Sequence, residues 1–268
     1  MKFRTLALLN ALAFVAILAM NFLAQAADIF PYTTTELGES RAIFFLPSGY
    51  VFAIWGVIYF GLGAYITYQL RPANYDKPLH EQISIFFIVS CIANVTWLIL
   101  FLNNLIWEST VAMLVLLASL LAIYLRLNIG RVQVTTLEKW AVHIPFSIYL
   151  GWITVATVAN FAAALYTSGN VTAFLGITAD VWTVIMMAVA AVLAALMLII
   201  RRDIAYALVV VWALMGIYAR PFNTPTFEVL ASLNGDLVHT AALVIAIAIG
   251  VGAAARLFIR RPQLTAAA

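Results

Sequence analysis

Apolar runs long enough to cross a bilayer recur along almost the whole chain, separated by short polar breaks. Eight are read: Thr5 to Ala24, Gly49 to Leu70, Ile83 to Leu102, Leu105 to Leu127, Trp140 to Leu165, Val181 to Ile200, Ile204 to Ala219 and Val238 to Ile259. A hydrocarbon core of about 30 Å takes about 20 residues of helix. Within lipid every backbone N–H and C=O must find its partner inside the protein, so these runs are helices. A β-barrel would instead alternate apolar and polar residues over segments of about ten, and no such alternation occurs. The pattern predicts an all-α integral membrane bundle of about eight spans. The seventh run is short for a full crossing. The Asn103-Asn104 pair is the sole break between the third and fourth runs, which predicts a tight helical hairpin.

Composition agrees with this pattern. Hydrophobic residues make up 65% and charged residues 9% of the 268-residue chain, and the mean hydropathy is +1.05. Globular domains carry about 25% charged residues, so lipid is the main solvent here. The net charge of +3 comes from cations scattered in ones and twos between spans. No basic groove of the kind that binds nucleic acid is present.

Placing the N-terminus in the cytoplasm puts twelve of the fourteen Lys and Arg residues inside (Lys2, Arg4, Arg71, Lys77, Arg126, Arg131, Lys139, Arg201, Arg202, Arg256, Arg260 and Arg261) and only Arg41 and Arg220 outside. This is the asymmetry that sets membrane topology, and it predicts eight spans with both termini cytoplasmic, in an inner membrane. A second reading of the start stays open. Met1 to Ala26 has a basic beginning, an apolar stretch and Ala24-Gln25-Ala26, which suits a signal-peptidase site. Cleavage there would leave seven spans.

The longest loop, Gln25 to Ser48, falls outside and carries Asp28, Glu36, Glu39 and the aromatics Phe30, Tyr32, Phe44 and Phe45. It reads either as a lid over a pocket or as an interfacial loop with an aromatic belt. Cys91 is the single cysteine, so no intrachain disulfide and no cysteine metal cluster is expected. His80, His143 and His239 lie far apart in sequence, each near a span edge. Phosphate-binding glycine loops and nucleophile elbows are absent, and no catalytic constellation or cofactor is expected. Asp180, Asp203, Asp236, Glu108 and Glu138 all fall at span ends. An ion-coupled transporter would want a carboxylate at mid-depth.

Polar and aromatic residues within spans are more informative. Asn94, Trp97 and Phe101 share a face of the third span, and Trp152, Ala156 and Asn160 recur every four residues on the fifth. On the second, Pro47 is placed to start a helix, Trp55 and Tyr59 stand one turn apart, and Tyr50 and Phe52 fall near the outer mouth. Two helices each presenting an indole and an amide can line one amphipathic pocket. The competing reading is helix–helix packing, in which asparagine amides bond between spans and tryptophans fill space.

Together these stretches resemble the TspO/MBR family, the tryptophan-rich sensory or translocator proteins. Asn94, Trp97 and Phe101 keep that family's Asn-x-x-Trp-x-x-x-Phe spacing. Trp152, Ala156, Thr157 and Asn160 keep its Trp-to-Asn spacing, and Trp55 and Tyr59 match its Trp-x-x-x-Tyr element, with Pro47 in register with the second proline of a Pro-Pro pair. The chain departs from the pattern at Leu46, Gly49, Ala53 and Ile99, and Pro145 lies seven residues before Trp152 rather than four. Tyr166 has no Lys or Arg close behind it to complete the family's sterol motif.

The resemblance covers about Phe3 to Tyr166. It implies a five-helix module over residues 1–166, to which residues 167–268 add three helices. It also implies a pocket for a flat hydrophobic small molecule, tetrapyrrole-like or lipid-like, formed by Trp55, Tyr59, Asn94, Trp97, Phe101, Trp152, Ala156 and Asn160. A tetrapyrrole would be a ligand rather than a resident cofactor. Partners implied are membrane lipid, the hydrophobic ligand and a second copy in a homodimer; nucleic acid is not among them. Such a protein would act as a receptor, sensor or carrier. A small-solute or lipid transporter and a structural subunit of a larger membrane complex are the rival readings, and an intramembrane enzyme comes last.

Overall fold

The computed structural model describes residues 2–26, 29–75 and 77–258; Asp28, Ile259, Arg260 and Arg261 lie outside the described residues. In chain order the helices are α1 (Lys2–Ala26), α2 (Thr34–Glu39), α3 (Ile54–Gln69), α4 (Pro78–Leu102), α5 (Ile106–Arg126), α6 (Thr136–Glu138), α7 (Ile144–Thr167), α8 (Ala179–Leu196), α9 (Ile204–Tyr218) and α10 (Gly235–Phe258). A two-residue antiparallel pair, β1 (Ala173–Phe174) with β2 (Ile177–Thr178), fills the loop before α8. Seven helical stretches among the described residues are long and apolar enough to cross a membrane. The eighth expected span, α9, is apolar but has 15 residues, which at the α-helical rise cover about 22 Å. The chain is an all-α integral membrane bundle.

The breaks have local causes. Asn104 takes a left-handed φ of 60° and turns α4 tightly into α5, as the Asn103-Asn104 pair predicts. Arg202 does the same at φ 54° after α8, and Asp203 then caps α9 by accepting the Tyr206 N–H at 3.1 Å. Pro145 has no N–H to give. The helical stretch Thr136–Thr167 widens to a π turn over Lys139–His143 just ahead of it, which accommodates the missing bond. The second span opens as a 3-10 turn, Gly49–Ala53, before α3 proper.

Helix α4 packs chiefly against α5 and α1, and α5 packs on α7. Helix α7 also meets α3 and α9, while α10 packs on α9 and α8. Helix α7 thus joins the first five spans to the last three. The two parts also meet at the start of the second span. The Ser48 N–H donates to the Gly216 carbonyl at 3.0 Å, and Trp212 Nε1 donates to the Val51 carbonyl at 3.0 Å. A Cβ at Gly216 would stand 2.1 Å from Val51 Cγ2, so a side chain there would force α9 off this turn.

Several amide side chains inside the bundle bond to polar groups on neighbouring helices, which offsets the cost of a lone amide in hydrocarbon. Asn10 Nδ2 reaches Gln69 Oε1 and Ser84 Oγ at 3.0 Å each, tying α1 to α3 and α4. At the basic end, Lys77 forms an ion pair with Glu138 at 2.8 Å, and both bond the Tyr68 hydroxyl.

Candidate functional site

Four aromatic side chains from two helices form a run of near-parallel rings. Tyr59 and Trp55, one turn apart on α3, have centroids 5.5 Å apart with planes 22° from parallel. Trp55 lies 6.2 Å from Trp97 at 27°, and Trp97 lies 5.5 Å from Phe101 at 28°. Trp152 on α7 meets this run edge-on, 6.3 Å from Trp55 at 84°, and packs edge-on against Phe52 at 5.8 Å. Offset-parallel and edge-to-face arrangements are those that ring quadrupoles favour. Between them lies a cavity of about 60 Å³, lined by Trp55, Trp97, Phe101, Trp152, Ala156 and Asn160, with Phe52 and Met113 among the other walls.

The amides serve the helices around the cavity. Asn160 Oδ1 accepts from Trp97 Nε1 at 3.0 Å, and its Nδ2 donates to Thr110 Oγ1 at 2.7 Å and Ser109 Oγ at 3.1 Å. One side chain therefore ties α7 to α4 and α5. Asn94 Nδ2 donates to the Tyr149 hydroxyl at 3.2 Å, and its Oδ1 accepts from Asn21 at 3.3 Å. Of the eight residues expected from sequence, six line the cavity. Tyr59 stands behind Trp55, and Asn94 is engaged with α1 and α7 rather than with the cavity. Tyr50, expected near the outer mouth, packs edge-on against Trp212 instead, at 5.4 Å. Trp152 is 3% exposed, and its Nε1–H has no hydrogen-bond partner among the described residues. A buried donor left in that state is costly unless something else accepts from it.

The loop after α1 closes the cavity. Helix α2 begins in a capping box: the Glu36 N–H donates to Thr33 Oγ1 at 3.2 Å, and Glu36 Oε2 accepts from the Thr33 N–H at 2.7 Å. Leu37, Arg41 and Leu46 from this loop form the outer wall. Arg41 lies over the Phe101 ring at 5.8 Å, donates to Asn104 Oδ1 at 2.6 Å and to the Leu37 carbonyl at 3.2 Å. Arg220, just after α9, donates to the carbonyls of Leu46 at 3.1 Å and Gly38 at 3.0 Å. Its own carbonyl sits 2.8 Å from His239 Nε2. Burial draws both guanidinium groups below their ordinary pKa.

A wider recess of about 390 Å³ adjoins the cavity on the outside, between this loop and the Pro221–Phe227 stretch. The two spaces share Gly38, Leu46, Pro47 and Phe52 as walls. Sequence reasoning used Arg41 and Arg220 for topology and missed that both hold the loop down. Their outside position was the one available signal, since a cation on the sparsely charged side needs a local partner.

Membrane-length helices packed around a small aromatic-lined cavity define an integral membrane protein. The family model described as TSPO-like protein matches residues 7–255, nearly the whole chain, and the chain belongs to that family. The match corrects the expected extent of the resemblance: it continues past Tyr166 across the last three helices, which therefore have a family counterpart. No curated protein and no solved structure gives a significant match. Family membership suggests a membrane-associated ligand-binding or sensor protein.

Proposed function

We propose that this protein is a membrane receptor or carrier that takes a flat hydrophobic ligand, tetrapyrrole-like or lipid-like, into the aromatic cavity beneath the α2 loop. The observation that carries this reading is the buried, unpartnered Nε1–H of Trp152, a residue that lines the cavity together with the Phe52, Trp55, Trp97 and Phe101 rings. Ring faces suit a flat apolar body, and the single donor suits one acceptor on its edge.

The closed cavity of about 60 Å³ is far below the roughly 300–1,000 Å³ of ligand pockets. Binding on this account therefore requires the α2 loop to lift and the rings to part. The outer recess beside Arg220 is the natural route, because a shared wall alone separates it from the cavity. In this reading residues 1–166 supply the pocket, and residues 167–268 brace its lid through Arg220. The basic ends of the spans face the cytoplasm, with the lid on the opposite side.

The test is a titration of the purified, detergent-solubilised chain with protoporphyrin IX, followed by tryptophan fluorescence quenching. Saturable quenching that weakens at least tenfold in a Trp97→Phe, Trp152→Phe double variant is the expected result. Equal affinity in wild type and variant would move the site elsewhere.

A further inference from the structure

A second cavity lies apart from the aromatic pocket and shares no lining residue with it. It is a groove of about 1030 Å³ between α3 and α9, floored by α7. Ile54 and Val57 form one wall, Leu208 and Trp212 the other, and Ser147 and Ile148 the floor. The Trp212–Val51 and Ser48–Gly216 hydrogen bonds close it at the outer end. Towards the basic end the two walls separate, and the rim there is built from Gly130, Gln133, Lys139, Trp140 and Arg202.

Two features of this groove point to its occupant. Its walls are apolar and lie on the membrane-length α3 and the short apolar α9, with Val57 54% and Leu208 51% exposed, so an occupant reaches it sideways from lipid. Its rim carries cations with no acidic partner. Among the described residues, the side-chain cations of Lys139 and Arg202 make neither a hydrogen bond nor an ion pair, and it is the backbone N–H of each that donates, Lys139 to the Thr135 carbonyl and Arg202 to that of Met197. Two acids stand near the rim: Glu138, which is ion-paired, and Asp203, which itself lines the groove and is held by neutral donors, leaving the two cations in excess of one carboxylate. Glu138 is held by Lys77 and Tyr68. Asp203 accepts from the Tyr124 hydroxyl at 2.8 Å, the Ser147 hydroxyl at 2.5 Å and the Tyr206 N–H. Trp140, 63% exposed, stands at the same rim, as an indole does at a headgroup boundary.

An apolar trough that ends in two cations free of ion pairs, against one carboxylate, matches a molecule with an acyl tail and an anionic head. We propose that this groove is a binding site for one anionic glycerophospholipid, its phosphate between Lys139 and Arg202 and an acyl chain between Val57 and Leu208. A zwitterionic lipid carries its own compensating ammonium and gains less from the two cations. A free phosphate gains nothing from the trough.

Native mass spectrometry of the full chain tests this, from detergent micelles doped with phosphatidylglycerol or with phosphatidylcholine of the same chains. The expected result is one retained phosphatidylglycerol per chain, with at least tenfold preference over phosphatidylcholine. That preference should vanish in a Lys139→Gln, Arg202→Gln variant. A Val57→Trp variant, which fills the trough and leaves both cations, should lose the lipid as well. Equal retention of the two lipids by the wild-type chain would overturn the proposal without any variant. So would displacement of phosphatidylglycerol by glycerol phosphate, which would mark a soluble-anion site, or undiminished retention in Val57→Trp.

Discussion

Arg220 donates a hydrogen bond from Nη2 to the Gly38 carbonyl at 3.0 Å across 182 positions of sequence. The contact joins the end of α9 to the loop that seals the aromatic cavity, and a second bond to the Leu46 carbonyl doubles it. The guanidinium is 8% exposed, its hydrogen bonds go to backbone carbonyls, and it lies over the Phe227 ring at 5.3 Å. Hydrogen bonds to charged groups contribute about 1.5–3 kcal/mol each.

Replacing Arg220 by Gln should therefore free the lid while leaving the bundle assembled. Amide exchange over residues 37–46 should quicken by about tenfold or more, the factor that corresponds to about 1.4 kcal/mol. Exchange within α4 and α5 should stay unchanged. Unaltered exchange in the loop would mean that Arg220 does not brace it.

The lid helix should also respond to acid. The Glu36 carboxylate accepts first from the Thr33 backbone N–H and then from its hydroxyl, which holds its pKa below the ordinary 4.5. A depressed carboxylate pKa stabilises the folded form at pH above the ordinary value and ceases to do so as pH falls through the lowered one. Protection of the Leu37 and Ser40 amides, corrected for intrinsic rates, should drop as pH falls from above the ordinary 4.5 through the lowered value. In Glu36→Gln that step should disappear. A step of the same size in the variant would place the titrating group elsewhere.

Asn160 ties α7 to α4 and α5 as well as lining the cavity. Asn160→Leu removes the acceptor of Trp97 Nε1 and the donor to Thr110, leaving a buried indole N–H orphaned. The loss should be about 1–2 kcal/mol, read as a lower thermal midpoint in detergent. A Trp97→Phe, Asn160→Leu double variant should recover part of it, because the orphan is gone. Strict additivity of the two changes would argue against the bond.

Much of this architecture was legible in the sequence. Run lengths gave the spans, the short run at Ile204 foretold the short α9, and Asn103-Asn104 foretold the left-handed turn that puts α4 against α5. Residue spacing placed Trp55, Trp97, Phe101, Trp152, Ala156 and Asn160 on faces that meet around one cavity. Helical periodicity reports which side of a helix a residue occupies, and it says nothing of which partner arrives there. Ser109 and Thr110 on α5 look like ordinary core residues until Asn160 is seen between them. The bracing by Arg220 depends on two loops far apart in sequence meeting at the outer face. The π turn before Pro145 and the small β1–β2 pair are local adjustments that hydropathy does not register.

If the proposed flat ligand enters the cavity beneath Arg41 and Leu37, filling that space must exclude it. Ala156 lines the cavity on the α7 side, and Ala156→Phe would occupy it while leaving Trp55, Trp97 and Trp152 in place as reporters. Equilibrium titration of both chains with protoporphyrin IX should give saturable, one-per-chain quenching in the wild type and at least a tenfold weaker curve in a folded Ala156→Phe variant. Identical saturable curves for the two chains would contradict the account.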